Sequence, residues 1–420
     1  MTAKAAHRAI DAVWRIESPR LIAGLARMMR DVGHAEDLAQ DALVAALEQW
    51  PASGVPDNPG AWLMAVAKRR AVDLLRRQST LECKQAELAR GLATAPDTAA
   101  ADFAAVEEDV GDDLLRLVFT CCHPVLSTDA QVGLTLRLLG GLTTEEIARA
   151  FLVPKETVAQ RIVRAKRTLA EAHVPFEVPS GAELAPRLAS VLDVVYLIFN
   201  EGYSATAGDD WMRPALCEDA LRLGRVLAGL APQESEVLGL VALMEIQASR
   251  LRARTGPAGE PILLLEQNRG RWDWVLIGRG LAALDRAERL GGTLGPYALQ
   301  AAIAACHARA RTPEATDWSR MVALYDALAQ LVPSPVVELN RAVAVGMAFG
   351  PEAGLELVDN LAAEPTLRGY HLLPSVRGDL LAKLGRIDEA RAELATAASL
   401  TRNNRERALL LNRAQALGSA

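Results

Sequence analysis

A chain of 420 residues, half of them apolar and only 4% aromatic, is too long for one ordinary core, and its composition favours helices packed through small side chains over a sandwich or barrel. No run approaches the ~20 apolar residues of a membrane crossing and the segment MTAKAAHRAIDAVWRIE lacks a signal-peptide apolar region, so a cytoplasmic, membrane-free protein is expected. The net charge of -6 tells against a nucleic-acid partner only if it is evenly spread; here five basic residues lie between Lys68 and Arg77 against Asp73 alone, and six between Arg149 and Arg167 against Glu156 alone.

Residues 1–80 read as a small helical unit with breaks at Ser18-Pro19, at Val32-Gly33 and across the Pro/Gly-rich stretch from Pro51 to Gly60. Between Ala35 and Trp50, the residues Ala39, Leu43, Ala46, Leu47 and Trp50 fall on one helical face. Asp37, Gln40 and Asp41 cluster opposite, a polar patch suited to pairing across an interface. Asn58 and Pro59 have the character of cap and first-turn residues of a second helix, AWLMAVAKRRAVDLLRRQ, which begins apolar and ends basic. Its Lys68, Arg69, Arg70, Arg76 and Arg77 can neutralise phosphates and so position a nucleic acid without reading it. Base reading is expected near the 51–60 loop, with Trp62, beside Leu63 and Val66, assigned to the core rather than to base stacking.

Residues 81–113 read as a flexible acidic linker, with seven carboxylates and no basic residue between Asp97 and Asp113. A second unit, 114–176, contains LTTEEIARAFLVPKETVAQRIVRAKRTL. There Thr143 and Glu146 have capping-box spacing for a helix through Phe151, and Pro154 suits the first turn of another. Val158, Ile162, Ala165 and Leu169 then share an apolar face. The opposite face carries Gln160, Arg161, Arg164 and Arg167, with Lys155, Glu156 and Thr157 at the N-terminal end, where a recognition helix meets base edges. An amphipathic surface helix with a solvated basic face is the plainer alternative. Cys121-Cys122-His123 lacks the spacer that turns two thiolates onto one metal and is read as buried packing. Beyond VPFEVPSG, residues 183–420 are Ala/Leu-rich helices, and Asp379 to Leu400, with Trp318 to Val345 more loosely, has the two-helix shape of a tetratricopeptide repeat.

Taken together these motifs resemble the extracytoplasmic-function sigma factors of the sigma-70 family, over roughly the first 175 residues. AEDLAQDALVAALEQW is similar to the polymerase-clamp-binding helix, AWLMAVAKRRAVDLLRR to the -10 recognition helix, with Arg69 where the family usually has Asn, and the helix-turn-helix to the -35 reader. FTCCHPVLS (119–127) and LIFNEGYSAT (197–206) look like a subgroup with a tetratricopeptide-like helical extension. The resemblance implies an all-α fold in which 1–80 binds the polymerase clamp through Asp37, Gln40 and Asp41, 114–176 reads the -35 element, and 183–420 regulates. Core RNA polymerase and promoter DNA are the implied partners; the repeat-like helices themselves suggest a groove for a signalling protein.

No catalytic residue, cofactor or metal is expected. NEGYSATAGDDW, with Glu201, Asp209 and Asp210, has no nucleophile-base pair or ligand spacing, and Asn200, Glu201, Gly202 and Tyr203 are assigned to an interdomain contact. The apolar run 191–199 is expected to pack against the sigma-like units. The alternatives are a one-component regulator, for which residues 1–80 would be superfluous, and a helical enzyme or scaffold built on the C-terminal half.

Overall fold

In the computed structural model, which describes residues 3–90, 110–206, 208–257 and 259–418, the regular elements are eighteen α-helices and short 3-10 turns, with isolated bridges but no strand among the described residues. The all-α expectation holds. No helix among them is long and apolar enough to cross a membrane. Two compact units divide at Val194 and Val195.

The N-terminal unit holds α1 (Ala3–Met29), α2 (Val32–Ser53), α3 (Pro59–Arg90), α4 (Val110–Cys121), α5 (Thr128–Leu138), α6 (Thr144–Phe151), α7 (Lys155–Glu171) and the first half of α8 (Leu184–Tyr203). Contrary to the expected break at Ser18-Pro19, α1 runs through Pro19. An interior proline costs about 3 kcal/mol. Leu21, Ile22 and Leu25, all buried just beyond it, contribute about 1.5–3 kcal/mol each, so packing outweighs the lost bond. Nor does Val32-Gly33 interrupt a helix, since it forms the first turn of α2. The chain turns instead at Arg30, with φ of 52°, and Asp31, whose carboxylate caps α2 by accepting from the His34 amide at 2.8 Å.

The 51–60 stretch does separate two helices, although Pro51 remains inside α2. Asn58 caps α3, accepting from Ala61 N at 3.0 Å. That helix continues to Arg90, so the first residues assigned to the linker are helical, consistent with the good helix formers of LECKQAELAR. Residues 91–109 of the expected linker lie outside the described residues. Its acidic end is anchored: Asp113, in the first turn of α4, is buried and pairs with Arg116 at 2.8 Å and Arg27 at 3.4 Å.

The C-terminal unit comprises the rest of α8, then α9 (Pro214–Leu230), α10 (Ser235–Ala248), α11 (Trp274–Arg289), α12 (Pro296–Arg309), α13 (Trp318–Leu331), α14 (Pro335–Phe349), α15 (Pro351–Leu361), α16 (Leu372–Lys383), α17 (Ile387–Leu400) and α18 (Asn404–Ala416). Nearly all of α10 is buried, against α9, α11 and α12. From α12 to α18 each helix packs on the next, and both stretches read as repeat-like pairs are helix hairpins, α13 with α14 and α16 with α17. Small residues set the approach. A Cβ on Gly354 of α15 would lie 2.8 Å from Gly346 Cα and 2.9 Å from Ala342 O of α14.

Candidate nucleic-acid interface

The helix-turn-helix forms as its capping pattern dictates. Thr143 Oγ1 accepts from Glu146 N at 3.1 Å while Glu146 accepts from Thr143 N at 2.8 Å, closing the capping box of α6. These bonds and the Arg15 and Arg149 guanidinium groups hold the Glu146 carboxyl below the ordinary carboxylate range, although partial burial works to raise it. Thr143→Ala is expected to cost about 1 kcal/mol, read as a lower midpoint in urea unfolding of the full chain.

Leu152, left-handed at φ of 52°, turns the chain into α7. Pro154 occupies the cap position, one residue earlier than expected. Val158, Ile162, Ala165 and Leu169 are buried, and α7 packs on α5 and α6. Gln160, Arg164, Arg167, Lys155 and Glu156 are exposed; Thr157 and Arg161 are half-buried. Part of the cationic face is already engaged. Arg161 pairs with Asp129 at 3.0 Å, Arg167 with Glu171 at 3.5 Å and Lys155 with Glu145 at 3.9 Å. Such exposed pairs are worth about 0–1 kcal/mol each, little enough for a phosphate or base edge to displace.

On α3, Arg69, Arg76 and Arg77 are exposed, and Lys68 and Arg70 are half-buried. Trp62 lies edge-on to the buried Trp50, centroids 5.3 Å apart, which gives it the core role expected. Of the three polar residues on α2, Asp37 is exposed, Asp41 pairs with Arg70 at 3.1 Å, and Gln40 donates to Glu36 at 2.6 Å.

Glu36 is the residue that sequence reasoning missed. It is 3% exposed, and its carboxylate receives Arg137 Nε of α5 at 2.7 Å and pairs with Lys166 of α7. Burial works to raise its pKa, but the two cations and their hydrogen bonds prevail and hold the carboxyl below its ordinary value. Arg15 of α1 reaches Glu146 at 2.7 Å nearby. The one available signal was position: an acid among Ala35, Leu38, Ala39 and Ala42, all buried on the same helix.

The FTCCHPVLS stretch forms a socket at the end of α4. Its carbonyls at Phe119, Cys122 and His123 accept from Arg187 at 2.9 Å, Ser190 at 3.1 Å and Gln131 at 3.0–3.2 Å. Arg187 and Ser190, which precede the 191–199 run expected to pack there, thus bond the end of α4 within the N-terminal unit. Both cysteines are buried, and burial pushes the Cys122 thiol up to about 12.

Asn200, Glu201, Gly202 and Tyr203 make their contacts inside the C-terminal unit. Glu201 pairs with Arg213 and accepts from Thr206 Oγ1 at 3.0 Å; a Cβ on Gly202 would lie 2.7 Å from Cys217 N. Tyr203, half-buried, has the buried Arg254 guanidinium 3.6 Å from its ring centroid. Asn403 Nδ2 donates to Ala205 O at 3.1 Å and Asp210 O at 2.9 Å, so the 205–210 loop receives the start of α18. The Glu201 and Asp209 carboxylates are thereby spent on loop structure, Asp209 accepting from Asn404 Nδ2 at 2.7 Å, and Asp210 contributes its backbone carbonyl.

Comparison with known proteins accords with this geometry. Residues 14–80 match sigma-70 region 2, residues 116–169 match sigma-70 region 4, and residues 187–288 match a family of unknown function (DUF6596). An uncharacterized protein of Rhizobium meliloti (strain 1021), R00370, is 43% identical over 401 residues, covering 93% of this chain and 92% of its own. The ECF RNA polymerase sigma factor SigK of Mycobacterium ulcerans (strain Agy99) is 32% identical over 149 residues, 34% of this chain and 75% of the relative. The probable ECF RNA polymerase sigma factor SigI of Mycobacterium tuberculosis (strain ATCC 25618 / H37Rv) is 27% identical over 171 residues, 40% of this chain and 57% of the relative. The chain belongs to the extracytoplasmic-function RNA polymerase sigma factors of the sigma-70 family, with a helical C-terminal extension. The region 2 match disfavours the one-component regulator, which has no use for those residues, and the sigma factor family is generally not enzymatic.

Proposed function

We propose that this sigma factor acts in the cytoplasm, binding core RNA polymerase through the α2 patch of Asp37, Gln40 and Asp41. In this reading α3 places Lys68, Arg69, Arg70, Arg76 and Arg77 on phosphates at the -10 element. The α7 residues Lys155, Glu156, Thr157, Gln160, Arg161, Arg164 and Arg167 meet the -35 element. The observation that carries the reading is the built helix-turn-helix, with its apolar stripe buried and its cationic face outward, on the same chain as a region 2 unit.

Asp37→Ala with Asp41→Ala is expected to weaken capture of core polymerase in a pull-down while leaving the helical circular dichroism unchanged. Undiminished capture would remove the clamp assignment. On α7 the two arginines should differ. Arg164, with no ion pair among the described residues, is free to make a bidentate base contact, and its replacement by alanine should cost about 1–3 kcal/mol in promoter affinity. Arg161 must first leave Asp129, so Arg161→Ala should cost less. Titration against specific and scrambled duplexes at two salt concentrations separates base reading from phosphate contact.

The C-terminal helices are proposed to regulate the sigma factor and to offer a signalling protein an extended surface. The sequential packing of α12 to α18 supports this, because stacked pairs create such surfaces. Truncation near Pro179 is expected to change transcription with core polymerase, and unchanged run-off synthesis would make the array an independent module.

A further inference from the structure

Between α10 and α11 the chain makes two 3-10 turns, Leu251–Ala253 and Arg269–Arg271, that pack on each other, and five arginines lie on or beside them. The inner ones shape the fold. Arg254, 7% exposed, donates to Tyr203 O and covers the Tyr203 ring, while Arg269, 6% exposed, donates to His307 O at 2.8 Å and to Ala310 O at 2.6 Å. Carbonyls and ring faces hold a guanidinium in place but carry no net charge to neutralise it. Neither Arg254, Arg269 nor their neighbour Arg250 has an ion pair among the described residues, and the carboxylate whose charge reaches Arg269, Glu314, is exposed and makes no pair with it. Burial, reinforced by the Arg250 and Arg269 charges, pushes the His307 imidazole down to about 3. The Nε–H groups of Arg250 and Arg269 and the indole N–H of Trp272 are buried with no hydrogen-bond partner among the described residues. All three are donors.

The outer pair, Arg252 and Arg271, is exposed, with neither ion pair nor side-chain hydrogen bond among the described residues. With Trp272, Asp273 and Trp274 these two line a cavity of about 600 Å³. Its one carboxylate is already engaged, since Asp273 caps α11 by accepting from Val275 N at 3.0 Å and Leu276 N at 3.1 Å. Trp274, at the first turn of that helix, is 51% exposed, a large aromatic surface left in water beside two unpaired guanidinium groups.

We infer that this cavity is a binding site for a free nucleotide, with its phosphates on Arg252 and Arg271 and its base stacked on Trp274. Guanidinium groups match phosphate oxygens in pairs, and an aromatic face accepts any base. The size is that of a small-molecule site, about 300–1,000 Å³. Arg250, Arg254 and Arg269 add attraction at longer range, because an anion here supplies the negative charge that the surrounding residues do not. A nucleic-acid strand offers the same phosphate and base, but a strand runs along a cationic groove of about 4–16 nucleotides. The next cation on α11, Arg279, is instead paired with Glu245 at 3.3 Å. The inference concerns the C-terminal unit alone and does not rest on the promoter-reading function proposed above.

The test is calorimetric titration of the full chain with ATP, GTP, CTP and UTP, their monophosphates, the four nucleosides, inorganic pyrophosphate and a mixed-sequence single strand of about 10 nucleotides. At least one nucleotide is expected to bind about tenfold or more tightly than pyrophosphate and than its own nucleoside, with an affinity that falls as salt rises. Arg252→Ala and Arg271→Ala should each weaken that nucleotide about tenfold, with unchanged helical circular dichroism because both side chains are exposed. Trp274→Ala should weaken the nucleotide by about tenfold and leave pyrophosphate binding as it was, whereas Trp274→Phe should keep most of the affinity. The inference is overturned if no nucleotide binds, if binding survives loss of both arginines or of Trp274, or if pyrophosphate binds as tightly as the nucleotide. It is equally overturned if the single strand binds where no free nucleotide does, which would give the cavity to a nucleic acid.

Discussion

Glu36→Ala should destabilise the docked N-terminal unit by about 3–5 kcal/mol, because removing one member of a buried ionic cluster leaves the others without compensation. Arg137 would retain its bond to Leu142 O at 3.1 Å, but Lys166, mostly covered, would lose its Glu36 partner. The expected observation in the full chain is a lower urea midpoint for the N-terminal unit, with faster amide exchange in α5 and α7 than in α12 to α18. The wild type should show the same weakness only in acid. Since the folded-state pKa of Glu36 lies below the ordinary value of 4.5, its contribution is fully present above that value and is lost as pH falls through the lowered one. The difference in urea midpoint between wild type and Glu36→Ala should therefore narrow as pH falls from 7 to 3. Parallel curves down to pH 3 would show that the carboxylate contributes nothing to docking.

The contrast between Glu36 and the helix-turn-helix shows what could be read from the sequence alone. Thr143, Glu146 and the stripe from Val158 to Leu169 act between residues three or four apart, and local spacing is what a sequence displays directly. The same holds for Asn58 as a cap and for the hairpins α13–α14 and α16–α17. Pro19 and Val32-Gly33 were misleading for the converse reason, since local propensity there is outweighed by burial of Leu21, Ile22 and Leu25 and by the cap at Asp31. Glu36 meets its partners 101 and 130 residues away, and nothing about its neighbours specifies which cations those are. The DNA-facing residues fall between these cases. Helical periodicity places Arg161 and Arg164 on one face, whereas the ion pair that distinguishes them depends on Asp129 of another helix.

Asn403 carries the same lesson to the C-terminal unit, where its replacement should have the second large effect. It is 1% exposed, and its side chain makes four hydrogen bonds. Oδ1 accepts from Arg405 N at 3.0 Å and Glu406 N at 3.2 Å, capping α18, while Nδ2 donates to Ala205 O and Asp210 O across nearly two hundred residues. The cap was legible from a polar residue before a helix; the cross-connection was not. Asn403→Ala removes the cap, worth about 0.5–2 kcal/mol, and leaves carbonyls unsatisfied at about 1–3 kcal/mol each where water cannot reach them. A total near 3–5 kcal/mol is expected, together with rapid amide exchange in the 204–211 loop and in α18. Asn403→Asp separates the two roles. Its carboxylate keeps the cap acceptors but turns an oxygen toward two carbonyl oxygens in a buried site, so at pH 7 it should be less stable than Asn403→Ala despite being closer in shape. Acidification should narrow the difference, because the protonated carboxyl regains one donor for Ala205 O or Asp210 O. If Asn403→Asp is as stable as wild type at pH 7, the two carbonyl bonds do not hold α18 in place, and the end of the array is retained by its packing on α17 and its ion pairs with Asp379 and His371.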